Sequence, residues 1–376
     1  MSFDHDQHQP YHEIGYKIIG KKELYFSKVK ALDAAGGDLN KIYFYQDNDV
    51  FDKVDWTTEP KDSMDVLCQK EARRIRNTYD HVALWYSAGF DSQTIVDAFI
   101  KAGLHIDELL VTKKIYLDYH AEYHYIMSQA RQIKKIFMPR IKITYEEQTL
   151  DHVLQFYKNA KHNWAEYCGH NYFVQKLFRA NPNLVPGANK LINNSKSILI
   201  EGRDKPRVDL RDGSWYSVLV DDIGAWSIGT NALSFFYSKH TPEIQVKQTH
   251  LMINWLETLE SINHNMVHTI QSNKASQGIY QQWNLAVGRS MLQCSSPDVT
   301  EGWINALNGW GIKKYNGKKE SEILKKLLKK NYNDIFNIYQ SQYDNLIKFH
   351  NSAAFKTIRG KEYYVRKQNT KKIISQ

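Results

Sequence analysis

Ser87, Gly89, Asp91 and Ser92 crowd into one turn between an apolar run and a helical pattern, within the segment His81 to Gly103. Such a turn suits a nucleotide phosphate. Small side chains let an anion approach the backbone, and the two hydroxyls add donors without bulk. The first turn of the following helix directs amides and the positive end of its dipole into the same space. Asp91 needs a separate reason, because a carboxylate beside phosphates repels them unless a divalent cation lies between. Mg²⁺ is held by one or two carboxylates together with phosphate oxygens, so the expected ligand is a metal-complexed nucleotide.

The surrounding elements are those this chemistry requires. Val82, Ala83, Leu84 and Trp85 form an apolar run, which predicts a strand buried on both faces of a parallel sheet. Ile95, Ala98, Phe99 and Ala102 recur at helical spacing before Gly103, so the turn leads straight into a helix N-terminus. Beyond it, Asp107 to Lys113 reads as a strand and Leu117 to Phe137 as a long helix stopped by Met138-Pro139. Arg140 to Tyr145 then reads as a third strand and Asp151 to Ala160 as a helix. Strands alternating with helices predict the α/β class with a doubly wound parallel sheet, whose ligands gather at the carboxyl ends of the strands.

Ser87-Ala88-Gly89-Phe90-Asp91-Ser92 resembles the Ser-Gly-Gly-x-Asp-Ser signature of the PP-loop ATP pyrophosphatases. Among these it is most similar to the asparagine-synthetase-like adenylating domains, with their adenine nucleotide alpha hydrolase-like fold. The resemblance implies ATP and Mg²⁺ as cofactors, cleavage between the α and β phosphates, and an adenylated acceptor. It also implies that all six residues from Ser87 to Ser92 touch the nucleotide, with Asp91 both a metal ligand and a catalytic residue. Val111 and Thr112, at the end of the second strand, correspond to the adenine contacts. The chain departs from the signature at Ala88, where the family has Gly; if that position needs positive φ, Ala costs on the order of 1 kcal/mol.

A second segment, Ser197 to Arg207, reads as a short buried strand ending in Gly202 and a cluster of charge, Arg203, Asp204, Lys205 and Arg207. Gly202 and Asp204 resemble the Gly-rich turn and acidic residue that follow a later strand in asparagine-synthetase-like members. That implies Gly202 at the nucleotide and Asp204 as the second metal ligand. Arg203 and Lys205 are read as catalytic residues and Arg207 as a nucleotide contact, since fixed positive charge stabilises the departing pyrophosphate. The plainer reading is a solvated strand end whose charges pair with one another. Arg207 to Asp222 reads as a hairpin turning at Arg211-Asp212-Gly213-Ser214, expected at the rim of the cleft. Lys239, His240 and Lys247, around the helix predicted from Glu243 to Leu259, are read first as solvating residues and second as acceptor contacts.

The chain has 376 residues, a formal charge of +9, 24 Tyr, 9 Trp and 3 Cys. It is globular in composition, and its basic balance would attract ATP, an acidic substrate or nucleic acid. The cysteines Cys68, Cys168 and Cys294 form no Cys-x-x-Cys pair, which counts against zinc, iron–sulfur or disulfide frameworks. No apolar run of about 18 residues or signal-peptide pattern is found, and a cytoplasmic location without a membrane partner is expected.

Three regions follow. Residues 1–80 are expected to form a small N-terminal cap, with a helix beginning at Ser63. Residues 81–258 form the PP-loop domain with its inserted hairpin, and residues 259–376 a helical, basic C-terminal region. The expected activity is AMP- and pyrophosphate-forming adenylation of an acceptor carboxylate or carbonyl, with an amine, ammonia or sulfur donor supplied from outside the chain, because residues 1–80 leave no room for a glutaminase. Two alternatives stay open: a thiolase of the same superfamily acting on nucleotides or nucleic acid, and a non-catalytic nucleotide-binding module. The Trp56-to-Asp80 and Phe235-to-His250 segments also resemble stand-alone PP-loop proteins of large tailed phages.

Overall fold

A computed structural model of the chain describes residues 16–25, 31, 34–36, 38–44, 50–114, 121–149, 196–202, 206–219, 232–259, 262–271, 329–330, 333, 337 and 361–369. Three short strands, β1 (Tyr16–Ile18), β2 (Leu24–Tyr25) and β3 (Ile42–Phe44), pair antiparallel in the order β2-β1-β3. Helix α1 (Met64–Thr78) begins where Ser63 accepts a hydrogen bond from the Val66 amide at 3.2 Å, a side-chain N-cap. Its stripe of Met64, Leu67, Cys68, Ala72 and Ile75 is buried in the core of the main sheet.

The α/β class is borne out by a five-stranded parallel sheet. Its strands are β4 (His81–Trp85), β5 (Glu108–Lys114), β6 (Lys142–Gln148), β7 (Ser197–Glu201) and β10 (Ala232–Ser234), in the order β10-β7-β4-β5-β6. Helix α2 (Phe90–Lys101) joins β4 to β5, and α3 (Ala121–Ile136) lies between β5 and β6. Gly103, at φ +69, closes α2, with Leu104 N–H reaching back to Phe99 O at 2.8 Å; this is the glycine-terminated helix end expected of that residue. One face of the sheet packs Val82, Leu84, Leu109 and Ile200 against Ile75 of α1, Ile95 and Phe99 of α2 and Ile133 of α3. The opposite face buries Ala83, Trp85, Leu110 and Leu199. Strands apolar on both faces are what the run Val82 to Trp85 predicts.

Between β7 and β10 the chain makes the hairpin β8 (Arg207–Arg211) and β9 (Ser214–Val218), turning at Asp212 (φ +48) and Gly213 (φ +67). Positive φ at both central residues is the turn that matches the natural strand twist. Strand β11 (Glu362–Lys367) joins this hairpin, giving the order β11-β9-β8. Residues 259–376 are therefore not helical throughout: the pattern Tyr363, Val365 around a bulge lays a strand down, with Val365 buried and Arg366 turned to Glu257 at 2.7 Å. Helices α4 (Glu243–Leu256) and α5 (His264–Gln271) pack Met252, Ile253 and Val267 against Val208 and Trp215 of this sheet.

Some boundaries move. Helix α3 starts at Ala121, residues 115–120 lying outside the described set, and β6 continues to Gln148 because β5 continues to pair with it as far as Lys114. The helix expected over Asp151 to Ala160 and most of the lysine-rich 325–330 stretch also lie outside the described residues, whereas Lys329 and Lys330 are helical and exposed.

Candidate functional site

The loop after β4 is built in three steps. Tyr86 N–H still bonds Leu110 O at 2.9 Å, so the chain keeps sheet register one residue past the strand. Ala88 then turns it through the left-handed region at φ +51. Gly89 opens α2 as its N-cap, at φ −80 and ψ 166, with no side-chain cap. Ala88 thus occupies a conformation for which Gly is suited, at a strain of about 1–2 kcal/mol for an L-residue. Its methyl is buried in the core, which offsets part of that strain.

Hydroxyls close the loop on itself. Ser92 Oγ donates to Gly89 O at 3.1 Å and accepts from Ser87 N–H at 3.3 Å, while Gly89 N–H reaches Ser87 Oγ at 3.4 Å. Because the Ser92 proton is committed to Gly89 O, the 3.3 Å contact between the two hydroxyls has Ser87 as donor. These bonds, two from amides and two from hydroxyls, are long for their donors and therefore readily exchanged for a better acceptor. Ser87 is exposed, Gly89 and Asp91 are half-buried, and Phe90 and Ser92 are buried. Asp91 stands in the first turn of α2, where a carboxylate is favoured by the helix dipole.

Gly202 meets this loop directly. A Cβ at Gly202 would stand 2.9 Å from the Asp91 carbonyl carbon, 3.0 Å from Asp91 Cβ and 3.1 Å from Ser92 N. The end of β7 and the first turn of α2 therefore touch backbone to backbone, and only glycine allows the approach. Two segments more than a hundred residues apart in sequence, 87–92 and 202, are thus brought together. They meet where the chain, having run β4 to β5 to β6, resumes on the other side of β4 with β7, the switch point at which open α/β sheets bind ligands.

Of the remaining expected site residues, Arg203, Asp204 and Lys205 lie outside the described set, whereas Arg207 is exposed and opens β8 opposite Val218. Val111 and Thr112 fall inside β5 rather than after it, paired with Tyr145 and Glu146, and the Val111 side chain is buried in the core. An adenine contact from Val111 is accordingly limited to its backbone. Lys247 is bound to Glu59 at 2.6 Å and to Pro60 O at 3.0 Å, and His240 is exposed with its amide on Ser238 Oγ. Cys68 is a buried core thiol; Cys168 and Cys294 lie outside the described residues.

Two supports escaped the sequence reading. Gln93 Nε2 donates to the buried Tyr86 hydroxyl at 2.5 Å, tying the strand end to α2 across the loop. Glu201, buried at the end of β7, precedes Gly202 and sits in register with Ser234 of β10. A polar residue closing the apolar run Ser197 to Ile200 was the available signal for Glu201; nothing in the spacing marked Tyr86 and Gln93 as a pair.

A donor set of two hydroxyls, a helix-start backbone and one carboxylate fits a magnesium-bound phosphate, since that ion needs only one or two protein carboxylates. Among the described residues no group of three or more His, Cys, Asp or Glu gathers to hold a metal, and no helix is long and apolar enough to cross a membrane. No protein-family model matches this chain, and no curated protein matches it.

Proposed function

We propose that the chain is an ATP-dependent, AMP-forming enzyme of the PP-loop class, with Ser87 to Ser92 as its phosphate loop. The observation that carries this reading is the contact of Gly202 with Asp91 and Ser92, which puts a second strand end against the loop at the sheet's switch point. The doubly wound topology belongs to the same proposal. With α2 and α3 on one face, Ala83, Trp85, Leu110 and Leu199 are buried on the other, as a sheet covered on both faces requires. Residues 1–80 would serve as a cap and 259–376 as a basic appendage.

In the proposed reaction an acceptor carboxylate or carbonyl oxygen attacks the α-phosphorus, and the bond to the β-phosphate breaks with its electron pair leaving on pyrophosphate. An external amine, ammonia or sulfur donor then attacks the acceptor carbon, and AMP leaves. Ser87 and Ser92 exchange their mutual hydrogen bonds for phosphate oxygens, and the α2 N-terminus stabilises the charge that builds there. Mg²⁺, held by Asp91 and Asp204, would neutralise the phosphates. Arg203, Lys205 and Arg207 would receive pyrophosphate, and the backbone of Val111 and Thr112 would border the adenine. Acceptors from acidic metabolites to nucleic acid suit the +9 charge.

The test is product analysis of protein incubated with Mg-ATP and pooled metabolites or nucleic acid, resolving AMP plus pyrophosphate from ADP plus phosphate. AMP and pyrophosphate that vanish in Asp91→Asn are expected. ADP and phosphate would overturn the reading, and tight ATP binding without turnover in any pool would favour a binding module.

A further inference from the structure

Helix α3 buries Ile126, Met127, Ala130 and Ile133 against the sheet. Its outer side presents His124, Ser128, Arg131, Lys134 and Lys135, all exposed, and Arg140 is exposed just after the helix ends. Several described surface cations are matched, Lys70 by Asp62, Lys101 by Asp65 and Asp97, Arg76 by Asp107 and Lys142 by Glu108, while Lys22, Lys53 and Lys61 have no ion pair among the described residues but are spread over residues 22–61 in sequence. Among the described residues, Arg131, Lys134, Lys135 and Arg140 have no ion pair. The helix dipole accounts for cations in the last turn, where Lys134 and Lys135 stand. It does not reach Arg131, a turn earlier, or Arg140, beyond the helix.

The same edge carries apolar surface. Strand β6 is the outermost strand on this side of the sheet, and its Tyr145 is 56% exposed, edge-on to Tyr123 of α3 at 6.5 Å. Ile136 is 50% exposed among the cations. Among the described residues, two of the five exposed large apolar side chains, Ile19, Val66, Ile136, Tyr145 and Tyr364, thus lie on this one edge. Glu147, the described exposed carboxylate of β6, lies past Tyr145, away from the Arg140 end.

We propose that the α3–β6 edge binds single-stranded nucleic acid, the four unpaired cations meeting its phosphates and Tyr145 stacking on a base. Unmatched cations beside an accessible aromatic ring are the pairing that tracks a single strand, charge for the backbone and π-face for the bases. The cations gather at the amino end of β6, since the last turn of α3 leads into that end and Arg140 lies two residues before Lys142, whereas the 87–92 loop follows the carboxyl end of β4. Because the cations lie at the other end of the sheet from that loop, the inference goes beyond the functional reading and does not rest on it.

The test is fluorescence anisotropy with a labelled mixed-sequence single-stranded oligonucleotide, without ATP, so that its failure is separable from failure of the adenylation reading. Arg131→Gln, Lys134→Gln, Lys135→Gln and Arg140→Gln combined should weaken binding at least about tenfold and lower the slope of log affinity against log salt by roughly 3, at about 0.7 per phosphate contact. Tyr145→Ala should weaken binding about tenfold with the salt slope unchanged. A control removing Lys21, Lys22, Lys53 and Lys61, exposed cations of the N-terminal region, should bind as wild type. Unchanged binding in the edge variant, or equal loss in the control, would overturn the proposal. So would loss of binding to anionic lipid vesicles with oligonucleotide binding intact.

Discussion

Replacing Gly202 with Ala tests whether the strand end and the loop act as one site. The added methyl would lie 2.9 Å from Asp91 C, 3.0 Å from Asp91 Cβ and 3.1 Å from Ser92 N, whereas carbon atoms rest at about 3.5–4.0 Å. The neighbours are helix-start backbone rather than a flexible side-chain tip, so β7 and α2 must part by roughly 0.5–1 Å. Overpacking of this kind costs about 1–3 kcal/mol, and a misplacement near 1 Å at reacting groups costs on the order of a hundredfold in rate. Gly213→Ala is the matched control: its φ of +67 makes Ala strained, yet nothing stands within 4 Å of the added atom. Both variants should lose stability in urea unfolding, Gly213→Ala by about 1 kcal/mol. Only Gly202→Ala should also lose Mg-ATP affinity and AMP formation. A Gly202→Ala protein with wild-type ATP binding, or a Gly213→Ala protein equally impaired in it, would refute the reasoning.

Ala88→Val should destabilise the chain by about 2–4 kcal/mol in chemical unfolding, because a β-branched residue is forced to φ +51 in a buried position. Ala88→Gly should stay within about 0.5 kcal/mol, relief of strain being offset by a freer unfolded chain and a lost methyl. Burial raises the Glu108 carboxyl, but hydrogen bonds from His81, Thr144 and Lys142 outweigh it and hold the pKa at about 2, below the ordinary 4.5. The resulting stabilisation, about 2–3 kcal/mol, is complete above pH 4.5 and is lost as pH falls toward 2. Glu108→Gln should remove that part of the acid dependence in thermal melts recorded between those values. Burial pushes the His250 ring below 6.5, against the raising effect of its bond to Trp56 O. The unfolded chain then binds the proton better, so stability falls as pH drops through 6.5, and His250→Gln should flatten the loss of Tm between pH 7 and 5.5.

The loop and its two flanking elements were legible because their signals are local. An apolar run, small residues and a 3.6-residue repeat fall within His81 to Gly103, and β4, the turn and α2 formed where those signals ended. Asp212-Gly213 likewise specified its own turn. Partnerships across long separations were not legible. The closeness of Gly202 to Asp91 depends on a strand order that no local pattern carries, and Tyr86 with Gln93 meet only because β4 and α2 converge. The strand at 362–367 was missed because its register belongs to β9, some 150 residues earlier, while residues 259–376 read as helical by pattern. Val111 was displaced from the expected adenine edge because β6 kept pairing with β5 beyond the apolar run.

The most direct test of the central claim is exchange of radiolabelled pyrophosphate into ATP by the wild-type protein, with magnesium and a pool of metabolites and nucleic acid, beside Asp91→Asn. Label should enter ATP in an acceptor-dependent way, and none should enter with Asp91→Asn. Label that enters equally with Asp91→Asn, or release of ADP and phosphate without exchange, would contradict that claim.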